Sequence, residues 1–156
     1  MALDAYLRLA GAKQGDIKGS VTRKGLEGTI LVIGFNHEVV VPTDDAGVPI
    51  GQRMVTRVVI TKEVDRSSPL LMQMLLSNET GKLCELKFYR PTGSGTEEQY
   101  FTIRMEGAVV VDIRQEMLNN RYPENTQHKL REDVAFSYRT ITWTYEPEGL
   151  VCADSL

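Results

Sequence analysis

The sequence has little of what marks several large classes of protein. Its 156 residues include two cysteines, Cys84 and Cys152, which lie far apart and form no CxxC motif. Cys84 shares strand parity with Leu86 and Phe88, which favours a small apolar core residue over a nucleophile. No segment approaches the roughly 20 apolar residues of a membrane-spanning helix. The net charge of −3 is small and evenly distributed, so the sequence does not predict a nucleic acid partner.

Targeting and catalytic signals are absent as well. The first six residues have no basic segment followed by an apolar one, so we expect no secretory signal peptide and any export by another route. His37-Glu38 lacks the second histidine of a zinc-binding helix, because position 41 is valine. No spacing of Ser, Cys and His specifies a nucleophilic triad. We therefore expect no enzyme activity, no metal site and no cofactor.

Strand-like segments fill most of the chain. Residues 83–90 and 99–106 alternate well, and their inward-facing side chains are predicted to be Cys84, Leu86, Phe88, Phe101, Ile103 and Met105. Seven or so such strands with one flanking helix predict a single, mainly β domain over residues 1–156. The expected architecture is a small antiparallel barrel or sandwich, that is, two packed sheets with extended loops. Its sheet edges must close, be covered or pair with another subunit.

Two longer strand segments are irregular. Residues 28–41 carry apolar side chains on both parities, which is typical of a strand buried on both faces. Within them Gly34 indicates a bulge or a close backbone approach, beyond which the chain could turn a barrel corner. Residues 130–145 change the parity of their apolar side chains, which predicts either a bulge near Arg139-Thr140 or a strand that packs on the core with one face and on a different neighbour with the other. Further strands are predicted at residues 54–61 and, as a short edge strand, at residues 150–156.

Residues 61–77 are the one place where the pattern changes to a helix. Ser68 is the predicted N-cap, Pro69 occupies the first helical position, and Asn78 and Gly81 mark the stop. Apolar residues cover most of the circumference: Leu70, Leu71, Met72, Met74, Leu75 and Leu76. A helix this apolar must be covered on two sides. It is either buried within its own domain or packed between its own sheet and a second subunit.

Four segments together resemble the haemolysin-coregulated protein (Hcp) family, the tube subunits of bacterial type VI secretion systems. They are residues 16–20 (DIKGS), 35–38 (FNHE), 61–69 (TKEVDRSSP) and 136–145 (FSYRTITWTY). The most specific pieces are the TKxVDxSSP pattern before the helix and the ITWTY strand. The resemblance covers nearly the whole chain in order.

The resemblance implies a small β-barrel with one helix, six copies of which close into a ring. Rings would stack into a tube that is built in the cytoplasm and expelled by a contractile sheath, with a spike at its tip. The implied partners are further copies of the chain, the sheath, baseplate and spike proteins, and small effectors carried in the ring lumen. No nucleic acid partner and no membrane insertion are expected. The alternative is a free-standing soluble module that binds an unknown partner through its β surface.

Three sets of site residues follow as expectations. The loop at residues 42–53 is expected to contact the next ring, because its prolines stiffen it and its carboxylates and isoleucine suit a reversible contact; its members are Pro42, Asp44, Asp45, Pro49, Ile50 and Arg53. The alternative is an inconsequential surface loop. The apolar helix residues are expected at a subunit interface. Asn36 and Glu38 are expected to face the lumen, although Asn36 also fits a simple strand-end residue.

Overall fold

The structure, a computed structural model, describes residues 3–156 and is dominated by antiparallel strands. The strands are β1 (Ala5–Gly11), β2 (Gly15–Ile17), β3 (Ile30–Val32), β4 (Gly34–Asn36), β5 (Val39–Val40), β6 (Met54–Val55), β7 (Val58–Glu63), β8 (Gly81–Pro91), β9 (Glu97–Glu106), β10 (Val109–Glu116), β11 (Arg131–Ser137), β12 (Thr140–Tyr145) and β13 (Leu150–Ser155). The helix α1 spans Ser68–Leu76. Short 3-10 turns lie at Pro123–Asn125 and Glu146–Glu148. The mainly β prediction is confirmed.

Two sheets carry the fold. The large sheet has the strand order β13-β12-β9-β8-β1-β2, with β3 also paired to β1. The small sheet has the order β10-β11-β7-β4. Strands β5 and β6 pair only with each other and form a separate two-stranded hairpin. No helix in the described part of the chain is long and apolar enough to cross a membrane.

The core lies between the two sheets and draws on both. Leu7, Leu86 and Ile103 enter it from the large sheet, and Ile60 and Phe136 enter it from the small sheet. The predicted inward-facing set is confirmed: Cys84, Leu86, Ile103 and Met105 are buried, and Phe88 and Phe101 pack against the core while half-buried. Burial raises the pKa of the Cys84 thiol to about 12, which suits an unreactive core side chain.

The prediction of one long strand over residues 28–41 is wrong, because the chain changes sheets within it. Strand β3 pairs with β1 in the large sheet, whereas β4 pairs with β7 in the small sheet. At the crossing, Ile33 N donates to Thr61 O over 2.8 Å. A Cβ on Gly34 would come within 3.0 Å of the Thr61 Cβ, so the predicted close backbone approach is confirmed. The expected burial on both faces is wrong as well: Ile30 and Val32 are buried, whereas Leu31 and Ile33 on the other parity are exposed.

The segment at residues 130–145 makes the same crossing in the opposite direction. Strand β11 belongs to the small sheet and β12 to the large sheet, so the prediction of one long strand is wrong. The chain turns near Arg139, where the parity of the apolar residues changes. The predicted strand at residues 54–61 is likewise interrupted, between β6 and β7. The tail forms the predicted edge strand, β13.

The helix begins one residue earlier than predicted. Ser67 is the N-cap and Ser68 the first helical residue, so the prediction of Ser68 as N-cap is wrong. The Ser68 hydroxyl is engaged elsewhere: it donates to Glu132 Oε1 over 2.8 Å and accepts from Lys62 Nζ over 3.1 Å. Asn78, with φ 53°, confirms the predicted stop, and Glu79 N then donates back to Met74 O.

A buried polar network anchors the start of the helix. Lys62 and Glu132 are both fully buried, and Lys62 Nζ lies 2.7 Å from Glu132 Oε1 and 3.1 Å from Asp65 Oδ1. Burial alone would raise the pKa of Asp65, but hydrogen bonds from Ser67 and the charge of Lys62 lower it. The TKxVDxSSP pattern therefore ties β7, β11 and α1 together. Its lysine, aspartate and second serine meet in space.

Candidate functional site

The helix is covered on one side within the single chain. Leu71 and Met74 are fully buried against the core, and Met72 and Leu75 are half-buried. Leu76 is 77% exposed on the opposite side, next to the exposed polar residues Gln73 and Ser77, and Leu70 at the margin is 36% exposed. The sequence predicts that both sides are covered, whereas in the single chain the side with Leu76 is exposed. The large apolar side chains that the helix leaves exposed are Leu70 and Leu76.

The solvent side of the small sheet is polar. By register, Asn36 on β4 lies opposite Val59 on β7, and Thr61 lies opposite Asp133 on β11. These side chains are exposed or half-buried, whereas their neighbours along the strands, such as Ile60, point into the core. We call this surface the polar face.

Charges on the polar face and at its rim are paired within the chain. Arg57 Nη1 lies 3.6 Å from Asp112 Oδ2, and Glu116 lies 3.8 Å from Arg114 and 3.9 Å from Arg131. The Thr61 hydroxyl donates to Asp133 Oδ1 over 2.6 Å. Because acids and bases alternate and neutralise each other, the surface presents no block of one charge. It offers hydrogen-bonding groups with little long-range attraction.

The structure separates the two residues predicted to face a lumen. Asn36 lies on the polar face, at the end of β4. Glu38 follows the end of the sheet, and its backbone N and O are bound by Thr56 at 2.9 Å each. Its side chain is exposed at the start of the β5–β6 hairpin. Asn36 therefore belongs to a defined sheet surface, whereas Glu38 belongs to the root of the hairpin.

Residues 39–55 form an ordered projection, which we call the arm. Asp44 shapes its tip, since its Oδ1 accepts from the backbone N of Ala46 and of Val48, both over 2.9 Å. Below the tip, Ile50 N donates to Pro42 O over 2.7 Å. The segment is thus an organised hairpin rather than a structureless loop, although its side chains are almost all exposed.

The predicted arm residues play different roles in the single chain. Asp44 forms hydrogen bonds within the turn. The side chains of Asp45 and Ile50 are exposed instead. Arg53 is engaged in its own chain: Nε and Nη2 bind the two Asp154 oxygens at 2.7 and 2.6 Å. This hydrogen bonding by Arg53 lowers the pKa of Asp154, so the pair is intact at neutral pH and is lost only as pH falls through that lowered pKa.

A histidine completes the root of the arm. His37 Nε2 lies 3.0 Å from the Tyr138 hydroxyl, and its ring stacks on Trp143 with centroids 6.2 Å apart. Burial lowers the pKa of His37, which favours the neutral ring at pH 7. Neither this contact nor the Arg53–Asp154 pair was predicted from the sequence. Each joins residues 101 positions apart, and no local pattern signals such a pairing.

Across residues 3–156, no group of three or more His, Cys, Asp or Glu side chains is placed to hold a metal ion. The geometry instead defines a small two-sheet protein with open apolar surfaces, a polar sheet face and a projecting arm. Comparison with known proteins places such a chain in the bacterial type VI secretion system. The matching family model is described as "Type VI secretion system effector, Hcp" and spans residues 6–145. The chain belongs to the Hcp family.

Individual relatives agree with this assignment. The chain is 42% identical to the major exported protein of Pseudomonas aeruginosa over 164 residues, covering 99% of this chain and 95% of the relative. Among solved structures it is similar to the Hcp1 protein from E. coli EAEC 042, with a TM-score of 0.88, 34% identity and 99% coverage of both chains. It is also similar to the secreted protein Hcp3 from Pseudomonas aeruginosa, with a TM-score of 0.81, 36% identity and coverage of 99% and 98%. The resemblance identified from the sequence is confirmed.

Proposed function

We propose that the protein is the structural subunit of the type VI secretion tube, exported together with that tube. Six copies close into a ring, rings stack into a tube that the contractile sheath expels with its spike, and small effectors travel in the lumen. The role is structural rather than catalytic. The observation that carries the proposal is the open side of α1 combined with a small sheet that ends in two terminal strands.

The two ends of the small sheet suit a ring contact. Among the described strands, β10 ends the sheet on one side and β4 on the other. Exposed apolar side chains lie at both ends, with Val111 40% exposed on β10 and Phe35 39% exposed on β4, beside Ile33 at 52%. Because the two ends differ, one can meet the other on a neighbouring copy, which is the heterologous contact that generates a ring. Such pairing also covers sheet edges that would otherwise invite aggregation.

The polar face is then the best surface for the lumen. If neighbouring small sheets join end to end, their polar faces form one continuous wall. Its internally paired charges provide hydrogen bonds without strong attraction to cargo of either sign, so cargo is held reversibly. The apolar surfaces are used between subunits instead. This separation of surfaces supports a carrier role for the ring.

Ring formation distinguishes the tube subunit from a free-standing binding module. Purified protein at micromolar concentration is expected to scatter light as a particle of six times the 17.5 kDa chain mass and to appear as closed rings by negative-stain electron microscopy. The ring should resist dilution, because exposed apolar edges make dissociation unfavourable. A monomer mass at this concentration would favour the binding module and reject the ring.

Asn36 tests the lumen assignment. We expect Asn36→Trp to leave the mass of the six-membered ring unchanged and to reduce the amount of effector that co-purifies with it. The reason is that a bulky indole side chain on the polar face narrows the lumen. Asn36→Ser, which keeps a small polar side chain, is the matched control and should retain cargo. If Asn36→Trp rings recover the same cargo in the same amount, Asn36 does not line the cargo path.

A further inference from the structure

The arm has little support of its own. A two-stranded hairpin is marginally stable in water unless it packs against something else. Strands β5 and β6 pair only with each other, and nearly every arm side chain from Val39 to Met54 is exposed. Only Val55, at the end of β6, packs against the core. The direction in which the arm projects therefore depends on contacts at its root.

One root contact has the geometry to fix a direction. Arg53 is the last residue before β6, and its guanidinium makes a two-pronged contact with Asp154, at 2.7 Å from Nε and 2.6 Å from Nη2. Nη2 also donates to the backbone O of Ser155 over 3.0 Å. A planar fork held by three hydrogen bonds defines the orientation of the group, which a point charge does not.

The other half of the contact stands on the body of the protein. Asp154 lies on β13, directly opposite Ile141 of β12, whose side chain is fully buried. Strand β13 is thereby held to the large sheet along its length, with Leu156 N also donating to Arg139 O over 2.8 Å. The Asp154 carboxylate is therefore held in place by the large sheet, and Arg53 attaches the arm to it.

We propose that Arg53, Asp154 and the Ser155 carbonyl form a root clamp that positions the arm relative to the body. Arg53 and Asp154 are positioning residues: they act through the arm and need not touch the neighbouring ring themselves. The inference rests on the proposed function, in which the arm contacts the next ring. An exposed ion pair contributes little to global stability, so its loss leaves the fold intact. Without the clamp, the arm adopts a wider range of directions relative to the two main sheets.

The first test measures the direction of the arm. Nitroxide labels are attached at Ala46→Cys in the tip of the arm and at Lys82→Cys on β8. The exposed Cys152 is replaced by serine, and Cys84 is fully buried and is not labelled. Labelled chains are diluted with unlabelled chains so that only distances within one chain are measured. Pulsed electron resonance should give a narrow distance distribution in the parent. We expect at least about a twofold broader distribution for Arg53→Ala and Asp154→Ala, with no further broadening in the double variant, because both remove one contact.

Arg53→Lys separates the fork from the charge. Lysine keeps the positive charge but not the planar two-pronged geometry, so it should broaden the distribution as alanine does. The matched control is Arg57→Lys: the 3.6 Å contact between Arg57 and Asp112 includes no residue of the arm, so this substitution should leave the distribution narrow. The melting temperature of every variant should stay within about 3 °C of the parent.

Either of two results would overturn the clamp. One is a distance distribution in Arg53→Ala that is as narrow as in the parent, and the other is an equally narrow distribution in Arg53→Lys. Tube growth in vitro, followed by electron microscopy, is measured on the same variants and should fall when the distribution broadens. If the arm becomes mobile and tubes still grow as in the parent, the clamp stands and the role of the arm in stacking fails. The two ideas are therefore tested apart.

Discussion

Leu71→Asp is expected to unfold the protein, whereas Leu76→Asp is expected to leave it folded and unable to form rings. The two positions lie on opposite sides of α1: Leu71 is fully buried, and Leu76 is 77% exposed. A carboxylate at position 71 replaces core contacts and buries an unpaired charge, which costs about 4 to 5 kcal/mol or more. Since domains of this kind are stable by about 5–15 kcal/mol, a cost of this size removes from about a third to all of the margin, and the exposed core then favours unfolding and aggregation.

At position 76 the same substitution is nearly neutral for the isolated chain, within about 0.5 kcal/mol, because the side chain is in water there. In a ring that covers this side of the helix, it places a charge in an apolar contact. Thermal melting followed by circular dichroism measures the effect on the stability of the fold. Light scattering measures the effect on the mass of the ring. Leu75→Asp, at a half-buried position, should lie between the two. If Leu76→Asp protein still forms rings of parent mass, the open side of the helix is not a subunit interface.

The helix shows what the sequence predicts well. Its apolar composition, its proline at the start and Asn78 at the stop are local signals, and the structure contains the helix within a residue of its predicted start. The error at Ser68 has a tertiary cause. A serine before Pro69 fits an N-cap, but the buried Lys62 and Glu132 compete for its hydroxyl. Ser67 occupies the N-cap position instead, and its side chain makes no capping hydrogen bond. Sequence distance hides that competition, since Ser68 and Glu132 lie 64 residues apart.

The same network explains why one short segment identifies the family so specifically. Lys62 and Glu132 form a buried ion pair, and removing one partner of such a pair leaves an uncompensated charge that costs about 3–5 kcal/mol. In this chain the contacts of Lys62 with Asp65 and Ser68 depend on the spacing of the three residues. The ITWTY strand is constrained differently: Ile141 enters the core, and Trp143 is the platform on which His37 stacks.

Strand continuity was less predictable, for a physical reason. A segment with apolar residues on both parities fits one strand that is buried on both faces. It fits equally well a chain that leaves one sheet and joins another. Residues 28–41 and 130–145 both take the second course, and both turn where a parity change or a glycine occurs. The prolines and glycines of the arm predict a loop, because they are typical of loops. The turn at Asp44 and the hydrogen bond from Ile50 N to Pro42 O nonetheless organise it as a hairpin.

Shortening the arm is expected to leave rings intact and to abolish tube growth. In the structure Val40 and Met54 are directly paired, so replacing residues 41–53 with Asn-Gly closes the hairpin by a two-residue turn in the existing register. The change removes the exposed Asp45, Val48 and Ile50, and with Arg53 its contact with Asp154 on β13, but it leaves the strands of both main sheets in place. Light scattering should therefore give the parent ring mass, while electron microscopy should show single rings under conditions in which the parent forms tubes.

The size of the effect follows from the number of contacts. Each arm offers a small apolar group and one free carboxylate, a contact that is weak and sensitive to salt when taken alone. In the proposed ring, six arms acting together would make the overall contact strong, so removing all of them should eliminate stacking instead of reducing it in proportion. A partial variant, in which Asn-Gly replaces residues 44–48 only, retains Ile50 and Arg53 and should weaken tube growth without abolishing it. Tubes of parent length from the fully shortened protein would show that the ring faces themselves carry the stacking contact.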